Sequence, residues 1–138
     1  EVRAAQPTRL RGWASTGAML GSYAATVVAS TAAKAAHTRP RPFQIDAGIE
    51  LALRAEPLGS SFPSSHAAVS RAAAESLAAF SDARVAAELI ADANRVGMSR
   101  IYAGAHFPSD VAAGAAMGRQ IAERMTDATL RVLAFLER

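Results

Sequence analysis

An arginine, a histidine and an aspartate follow one another closely in the segment 99–110. Arg100 carries a permanent, forked cation that suits a tetrahedral oxyanion. His106 is the type of side chain best matched to nucleophilic or acid–base work near neutral pH. Asp110 comes four residues later, close enough to accept a hydrogen bond from the second imidazole nitrogen and so fix the tautomer. The segment therefore offers a nucleophile, an orienting group and an oxyanion clamp.

A second candidate for anion binding is the start of a predicted helix. An alanine-rich apolar run follows directly after Pro63-Ser64-Ser65-His66. Pro63 suits the first helical position, and the amides that follow it have no partner within the helix. Such a helix start binds anions, so Ser64 and Ser65 are candidate phosphate-binding residues. Further cations lie upstream, at Lys34 and in the doubled Arg-Pro of residues 39–42.

Three segments of this chain share their order and spacing with a known signature. They are Lys34-x6-Arg41-Pro42, Pro63-Ser64-Ser65-His66 and Ser99-Arg100-x5-His106-x3-Asp110. This pattern resembles that of the type 2 phosphatidic acid phosphatase superfamily, which includes bacterial acid phosphatases, lipid phosphatases and vanadium haloperoxidases. The resemblance covers residues 34–110, more than half of the chain, and three gapped motifs in the right order make chance agreement a poor explanation.

Arg41 and Ser65 are the two positions at which the resemblance leaves a choice open. Arg41 is chosen as the motif cation because its offset from Lys34 matches the family, with Arg39 as the substitute. Ser65 stands where the family usually has glycine. If the family loop needs a positive φ there, Ser65 is strained; if it needs only a backbone N–H, serine serves equally well.

The resemblance implies a metal-independent phosphatase that hydrolyses phosphomonoesters, including lipid or isoprenoid phosphates, through a phosphohistidine. In that mechanism His106 attacks phosphorus, Asp110 steadies the ring, and His66 protonates the leaving oxygen and later activates water. A second set of residues would hold the phosphoryl oxygens, namely Lys34, Arg41, Ser64, Ser65 and Arg100. No cofactor is expected, and the sequence has no acidic cluster typical of a metal site.

Two alternatives stay open from the sequence. A vanadium-dependent haloperoxidase would hold vanadate on the same residues, bonded to His106, although the chain has little extra sequence for a halide and peroxide pocket. A module that binds phosphorylated ligands without turnover would need neither His66 nor Asp110. The phosphatase is therefore the favoured interpretation.

Composition narrows the class of protein. At 138 residues the chain is long enough for one domain, residues 1–138, with its own core. It contains no cysteine, which excludes a disulfide framework and a thiolate metal site. The net charge of +3 fits an anionic substrate, but the arginines form no dense run, so nucleic acid is not implied.

The pattern of apolar residues, caps and prolines predicts an all-α single-domain bundle with the active site at helix ends. We expect helices over 12–33 and 64–80, a third beginning after Ser81-Asp82 and ending at Gly104, and a fourth from 108 to 125. A last helix, capped by Thr126-Asp127, should carry Leu130, Leu133 and Leu136. Residues 37–62 should be a loop with a short helix over 46–54.

Residues 12–33 carry no charge and are long enough to cross a bilayer. Alanine, serine, threonine and glycine dominate them, however, so we favour a helix buried in the protein over one that contacts a membrane. No signal peptide is visible in the chain. From the family resemblance we expect an extracytoplasmic or membrane-associated location, and the oligomeric state stays open.

Overall fold

The computed structural model describes residues 2–52 and 59–138, with side chains from residue 9 onward in the first range. Within these ranges the chain forms helices and no strand, which confirms the predicted all-α class. The helices are α1 (Val2–Ala36), α2 (Pro42–Ile45), α3 (Ser65–Ala78), α4 (Ala83–Tyr102) and α5 (Pro108–Leu136).

Helix α3 lies at the centre of the bundle and packs against α1, α4 and α5. Its buried face consists of small residues, among them Ala68 and Ala72, which are fully buried. Gly114 and Gly118 of α5 face this surface so closely that a Cβ on either would overlap a backbone carbonyl oxygen of Ser64 or Ala68. Small side chains therefore let the helix axes approach, and this approach brings the start of α3 beside the start of α5.

Helix α1 packs through a stripe of small residues spaced by four: Ala18, Ser22, Thr26 and Ser30 are all buried. The Ser76 hydroxyl of α3 donates to the Ser22 hydroxyl over 2.8 Å. The stripe confirms that residues 12–33 form a helix with a buried face.

The opposite face of α1 is exposed. It carries large apolar side chains, with Trp13 77% and Val28 70% exposed. In the part of the chain that the structure describes, no helix combines the length and the apolar character that crossing a membrane requires.

Most helix boundaries follow local signals. The Asp82 side chain accepts from the Val85 amide over 3.0 Å and caps α4, as predicted. Gly104 adopts a φ of +67° just past the end of α4. A Cβ there would also lie 2.8 Å from Ile49 Cγ2, so both backbone and space require glycine. Pro108 begins α5, again as predicted.

Three predictions about helix boundaries were wrong. Helix α3 begins at Ser65 with Ser64 as its N-cap, so Pro63 precedes the helix and is not its first residue. The short helix expected over 46–54 is absent from 46–52, and residues 53–54 lie outside the described part. The short helix is α2 instead, because Pro42 occupies its first turn and the Gln44 side chain accepts from the Arg41 amide.

The predicted break at Thr126-Asp127 is also wrong, since α5 continues through both residues. Thr126 is buried inside the bundle. A threonine and an aspartate cost a helix only about 0.5 kcal/mol each relative to alanine, which is less than the cost of ending one helix and nucleating another.

Candidate active site

Four helix ends meet at one end of the bundle and bring the predicted residues together. Lys34 lies in the last turn of α1 and Arg100 in the last turn of α4. His66 lies in the first turn of α3 and Asp110 in the first turn of α5. Arg41 comes from the connection between α1 and α3, where it caps α2.

The α4–α5 junction holds His106 rigidly. The amides of Ala105 and His106 both donate to the Arg100 carbonyl, over 3.1 and 3.3 Å. Gly104 makes the tight turn that allows this, and the His106 residue is 5% exposed. The backbone thus fixes the candidate nucleophile relative to the end of α4.

Asp110 is completely buried and well supplied with donors. Its Oδ2 accepts from the Ser61 hydroxyl over 2.6 Å and from the Phe107 amide over 2.9 Å. Its Oδ1 accepts from Arg39 Nη1 over 2.6 Å. His106 Nδ1 lies 3.7 Å from Oδ2, longer than a hydrogen bond, and no described group makes a well-oriented hydrogen bond to it. Asp110 therefore lies where an orienting carboxylate should be, although its distance to His106 Nδ1 is too long for a hydrogen bond.

The other imidazole nitrogen faces the cations. Arg41 is buried, and its Nη1 lies 3.3 Å from His106 Nε2 and donates to the Ala105 carbonyl over 2.8 Å. A guanidinium has only donors, so Nε2 must present its lone pair and the imidazole hydrogen belongs on Nδ1. This tautomer directs the nucleophilic lone pair toward the cations and the N–H toward Asp110.

The electrostatics keep that lone pair unprotonated. Burial, together with the nearby cations Arg41 and Lys34, lowers the pKa of His106 to about 4. The Ser61 backbone and the Asp110 carboxylate oppose part of this shift because they favour the imidazolium. His106 is consequently neutral at any pH well above about 4.

Lys34 and Arg41 share one acceptor. Lys34 Nζ donates to the Ser60 carbonyl over 2.6 Å, and Arg41 Nη2 donates to the same oxygen over 3.3 Å. Burial lowers the pKa of Lys34, and the Arg41 cation lowers it further. Two cations that repel each other are thus held around a single backbone oxygen, as they would be around an oxygen of a bound oxyanion.

His66 is exposed at the start of α3. Partial desolvation lowers its pKa, and the cations Arg100, Lys34 and Arg41 lower it further, in that order. Lys34 and Arg41 act on both histidines. The two imidazoles therefore border one shared cluster of positive charge.

The two serines of the second motif play different parts. The Ser64 amide donates to the Asp110 carbonyl over 3.0 Å, and its hydroxyl accepts from the Ala67 amide over 3.4 Å. Ser64 thus ties α3 to α5, and its N–H is not available to an anion. Ser65 is the first residue of α3, and no non-glycine residue in the described ranges has a positive φ. Serine at this position is therefore unstrained, and the amides of Ser65 and His66 have no acceptor within the helix.

Arg100 reaches the cluster as a half-buried side chain. Its Nε and Nη2 each lie 3.1 Å from the Ser99 hydroxyl. Its positive charge is the first of those that lower the pKa of His66.

The three motifs do not include Ser61, and they do not assign Arg39 a place of its own. Ser61 precedes the second motif, and nothing in its spacing distinguishes it from the neighbouring Ser60. Arg39 was considered only as a substitute for Arg41, yet its guanidinium contacts Asp110 and Ser109 and lies 4.3 Å from the Phe107 ring centroid. Of the arginines in the two consecutive Arg-Pro pairs, Arg41 thus contacts Nε2 of His106, and Arg39 contacts the carboxylate beside Nδ1.

One buried and two half-buried cations, beside a neutral histidine and a helix start, form an arrangement that can bind an oxyanion such as phosphate. In agreement, a sequence model of the PAP2 superfamily matches residues 15–129. The chain therefore belongs to the PAP2 superfamily, the type 2 phosphatidic acid phosphatases, as its three motifs indicated. This membership indicates activity of the phosphatase or haloperoxidase type. Neither a curated protein nor a solved structure gives a significant match to the chain.

Proposed function

We propose that this protein is a metal-independent phosphatase that hydrolyses phosphomonoesters through a phosphohistidine on His106. The observation that carries the proposal is the arrangement of His106 itself. His106 Nε2 lies 3.3 Å from Arg41 Nη1 in a buried site. The pKa of His106 is lowered to about 4. A neutral imidazole whose lone pair faces a cluster of cations is suited to attack an electrophile that carries negative charge.

The first step forms one bond and breaks one. As Arg41 moves its donor from Nε2 to a phosphoryl oxygen, the Nε2 lone pair bonds to phosphorus while the bond from phosphorus to the leaving oxygen breaks in line. Lys34, Arg41 and Arg100, with the amides of Ser65 and His66, would stabilise the three equatorial oxygens.

The ring becomes cationic in that step and keeps its hydrogen on Nδ1. The Asp110 carboxylate, 3.7 Å away, lies on the side where this positive charge develops. A small closure of that gap would form a charge-assisted hydrogen bond in the intermediate that the resting state lacks. Such an interaction favours the transition state over the ground state, which is the condition for catalysis.

His66 would act as general acid and then as general base. Partial desolvation lowers the pKa of His66, and three nearby cations lower it further. A bound phosphate dianion offsets those positive charges. Substrate binding therefore raises the pKa of His66 and favours its protonated form. His66 gives this proton to the leaving oxygen, then removes one from the water that attacks phosphohistidine, which releases inorganic phosphate.

The exposed apolar face of α1 supports a further part of the proposal, contact with a membrane surface. Trp13, Leu20 and Val28 are exposed on a stretch without charge, and Arg9 and Arg11 precede it. A lipid or isoprenoid phosphate as substrate and an extracytoplasmic or membrane-associated location would fit that face.

The direct test measures phosphate release from p-nitrophenyl phosphate, with vanadate, with EDTA, and beside a halide-oxidation assay with vanadate and peroxide. We expect turnover, competitive inhibition by vanadate because it resembles the trigonal-bipyramidal transition state, and no effect of EDTA. Halide oxidation without phosphatase activity would establish the haloperoxidase instead. Tight phosphate binding without either activity would establish a binding module, and loss of activity in EDTA that divalent metal restores would contradict the metal-independent mechanism.

A further inference from the structure

Arg39 occupies a position in the site that the three motifs do not assign. It belongs to the connection between α1 and α3, and its Nη1 donates to Asp110 Oδ1 over 2.6 Å and to the Ser109 hydroxyl over 2.9 Å. Its guanidinium lies 4.3 Å from the centroid of the Phe107 ring. All three partners belong to the start of α5, so Arg39 binds that start as a unit.

The backbone around Arg39 is fixed as well. Its amide donates to the Ser60 hydroxyl over 3.2 Å, and its carbonyl accepts from the Ser61 amide over 2.9 Å. Ser61 in turn donates its hydroxyl to Asp110 Oδ2. Arg39 and Ser61 therefore approach the carboxylate together, one at each oxygen.

This arrangement differs from that of Arg41. Arg41 is buried and contacts Nε2, the nitrogen that attacks. Arg39 has a side chain that is 38% exposed, and it contacts the carboxylate on the Nδ1 side of the ring. Arg41 thus lies on the Nε2 side of the imidazole, and Arg39 lies on the Nδ1 side, behind Asp110.

We propose that Arg39 is a positioning residue that holds the Asp110 carboxylate in place behind His106, and that it is not a phosphate ligand. The inference rests on the proposed function, since it assigns Arg39 a part in that reaction. By sharing the charge of Asp110, Arg39 also limits how strongly the carboxylate favours a protonated His106. The nucleophile thus keeps its lone pair while the carboxylate stays close enough to stabilise the cationic intermediate.

Several other charges act on His106 and are unchanged by substitution of Arg39. They belong to Lys34, Arg41 and Asp110, while His66 and Arg100 are the other titratable or charged groups at the described helix ends. Of these, Asp110 favours the imidazolium of His106, and Arg41 and Lys34 oppose it. Removal of Arg39 leaves Asp110 with less compensation, so its effect on His106 should grow.

The test compares Arg39→Gln and Arg39→Lys with the wild type, with Arg84→Gln as the matched control. Arg84 forms an exposed pair with Glu88 on α4, so its loss removes an equal charge away from the site. Three quantities are measured: the pKa of His106 by NMR of labelled imidazoles, kcat and KM with p-nitrophenyl phosphate, and the dissociation constant of inorganic phosphate.

For Arg39→Gln we expect the pKa of His106 to rise by about one unit. We expect kcat to fall about tenfold or more, because Asp110 is no longer held behind the ring. The acid limb of the pH profile should move to higher pH, because protonated His106 cannot attack. KM and the phosphate dissociation constant should change less than about threefold. Arg39→Lys should recover part of kcat, since an ammonium can donate to Oδ1 but cannot reproduce the fork and the ring contact.

Two results would overturn the inference. A tenfold weaker phosphate affinity with kcat unchanged would make Arg39 a phosphate ligand. A loss of thermal stability alone, with the His106 pKa and kcat unchanged, would make it only a structural link. If the wild type shows no turnover, the proposed function fails, while the NMR titration and phosphate binding still decide whether Arg39 acts on His106.

Discussion

The two histidines of the site lie in contrasting surroundings. At the α4–α5 junction, His106 is buried, its backbone is held by Arg100, and its ring lies between Arg41 and Asp110. At the start of α3, His66 is exposed, and its side chain makes no hydrogen bond to the described residues. One imidazole is fixed from several sides and the other from its backbone alone.

The contrast matches two chemical demands. A nucleophile must present one lone pair in line with the breaking bond, so it benefits from a rigid and dry setting. A general acid must take protons from solvent and reach leaving groups of different shapes, so it benefits from exposure. Under the proposed function, the difference in burial therefore distinguishes the nucleophile from the general acid, whereas the sequence shows a histidine at both positions.

The largest expected effect is from His106→Ala. Without the nucleophile, phosphatase turnover should fall at least ~10³-fold for every substrate. Circular dichroism and thermal unfolding should show that the bundle persists, because the helix contacts do not depend on the imidazole. Retention of more than about a tenth of the activity would remove His106 from the role of nucleophile.

The His66→Ala effect should depend on the leaving group. An alkyl phosphate needs protonation of a poor leaving group, so its kcat should fall by about 10²–10⁴-fold. p-Nitrophenyl phosphate releases a phenolate that can leave unprotonated, so its loss should be much smaller. Rates for the two substrates are compared within one variant, which cancels differences in folding. Equal losses would place His66 in the phosphate clamp instead.

The smallest effect concerns the contact that joins the two regions. In Gly114→Ala the new Cβ would overlap the Ser64 carbonyl oxygen, so α3 and α5 must separate at the site. We expect the free energy of unfolding in urea to fall by about 1–3 kcal/mol. Activity should also fall, because His66 lies on α3 and Asp110 on α5.

Gly12→Ala is the matched control for that substitution. Gly12 lies in α1, and a Cβ added to it would have no atom within 4 Å, so alanine should stabilise the protein by about 0.5–1 kcal/mol. If Gly114→Ala behaved like this control, the close packing of α3 on α5 would not determine the geometry between the two histidines.

Local signals explain what the sequence could predict. Asp82 and Pro108 mark helix starts through short-range chemistry, and the three motifs identify the residues that gather at the helix ends. The limits also have physical causes. Thr126 resembles a cap in sequence but is buried within a continuous helix, so packing and helix continuity decide there.

The division of roles between Arg39 and Arg41 could not be predicted for a different reason. Both are followed by proline and both carry the same fork. Only the path of the chain between α1 and α3 turns one toward Nε2 and the other toward Asp110. Ser61 likewise became recognisable only through its contact with the carboxylate.

The Ser60 carbonyl gives the site an internal competitor. It accepts from both Lys34 and Arg41, so these two cations have a partner before any anion arrives. Under the proposed function, a bound substrate replaces the Ser60 oxygen as the acceptor of these two cations. The free energy of binding then contains only the difference between the two sets of hydrogen bonds, which lowers the affinity. The same carbonyl can take the cations back when inorganic phosphate departs, which favours product release and limits product inhibition. A single peptide oxygen would thereby promote turnover over tight binding.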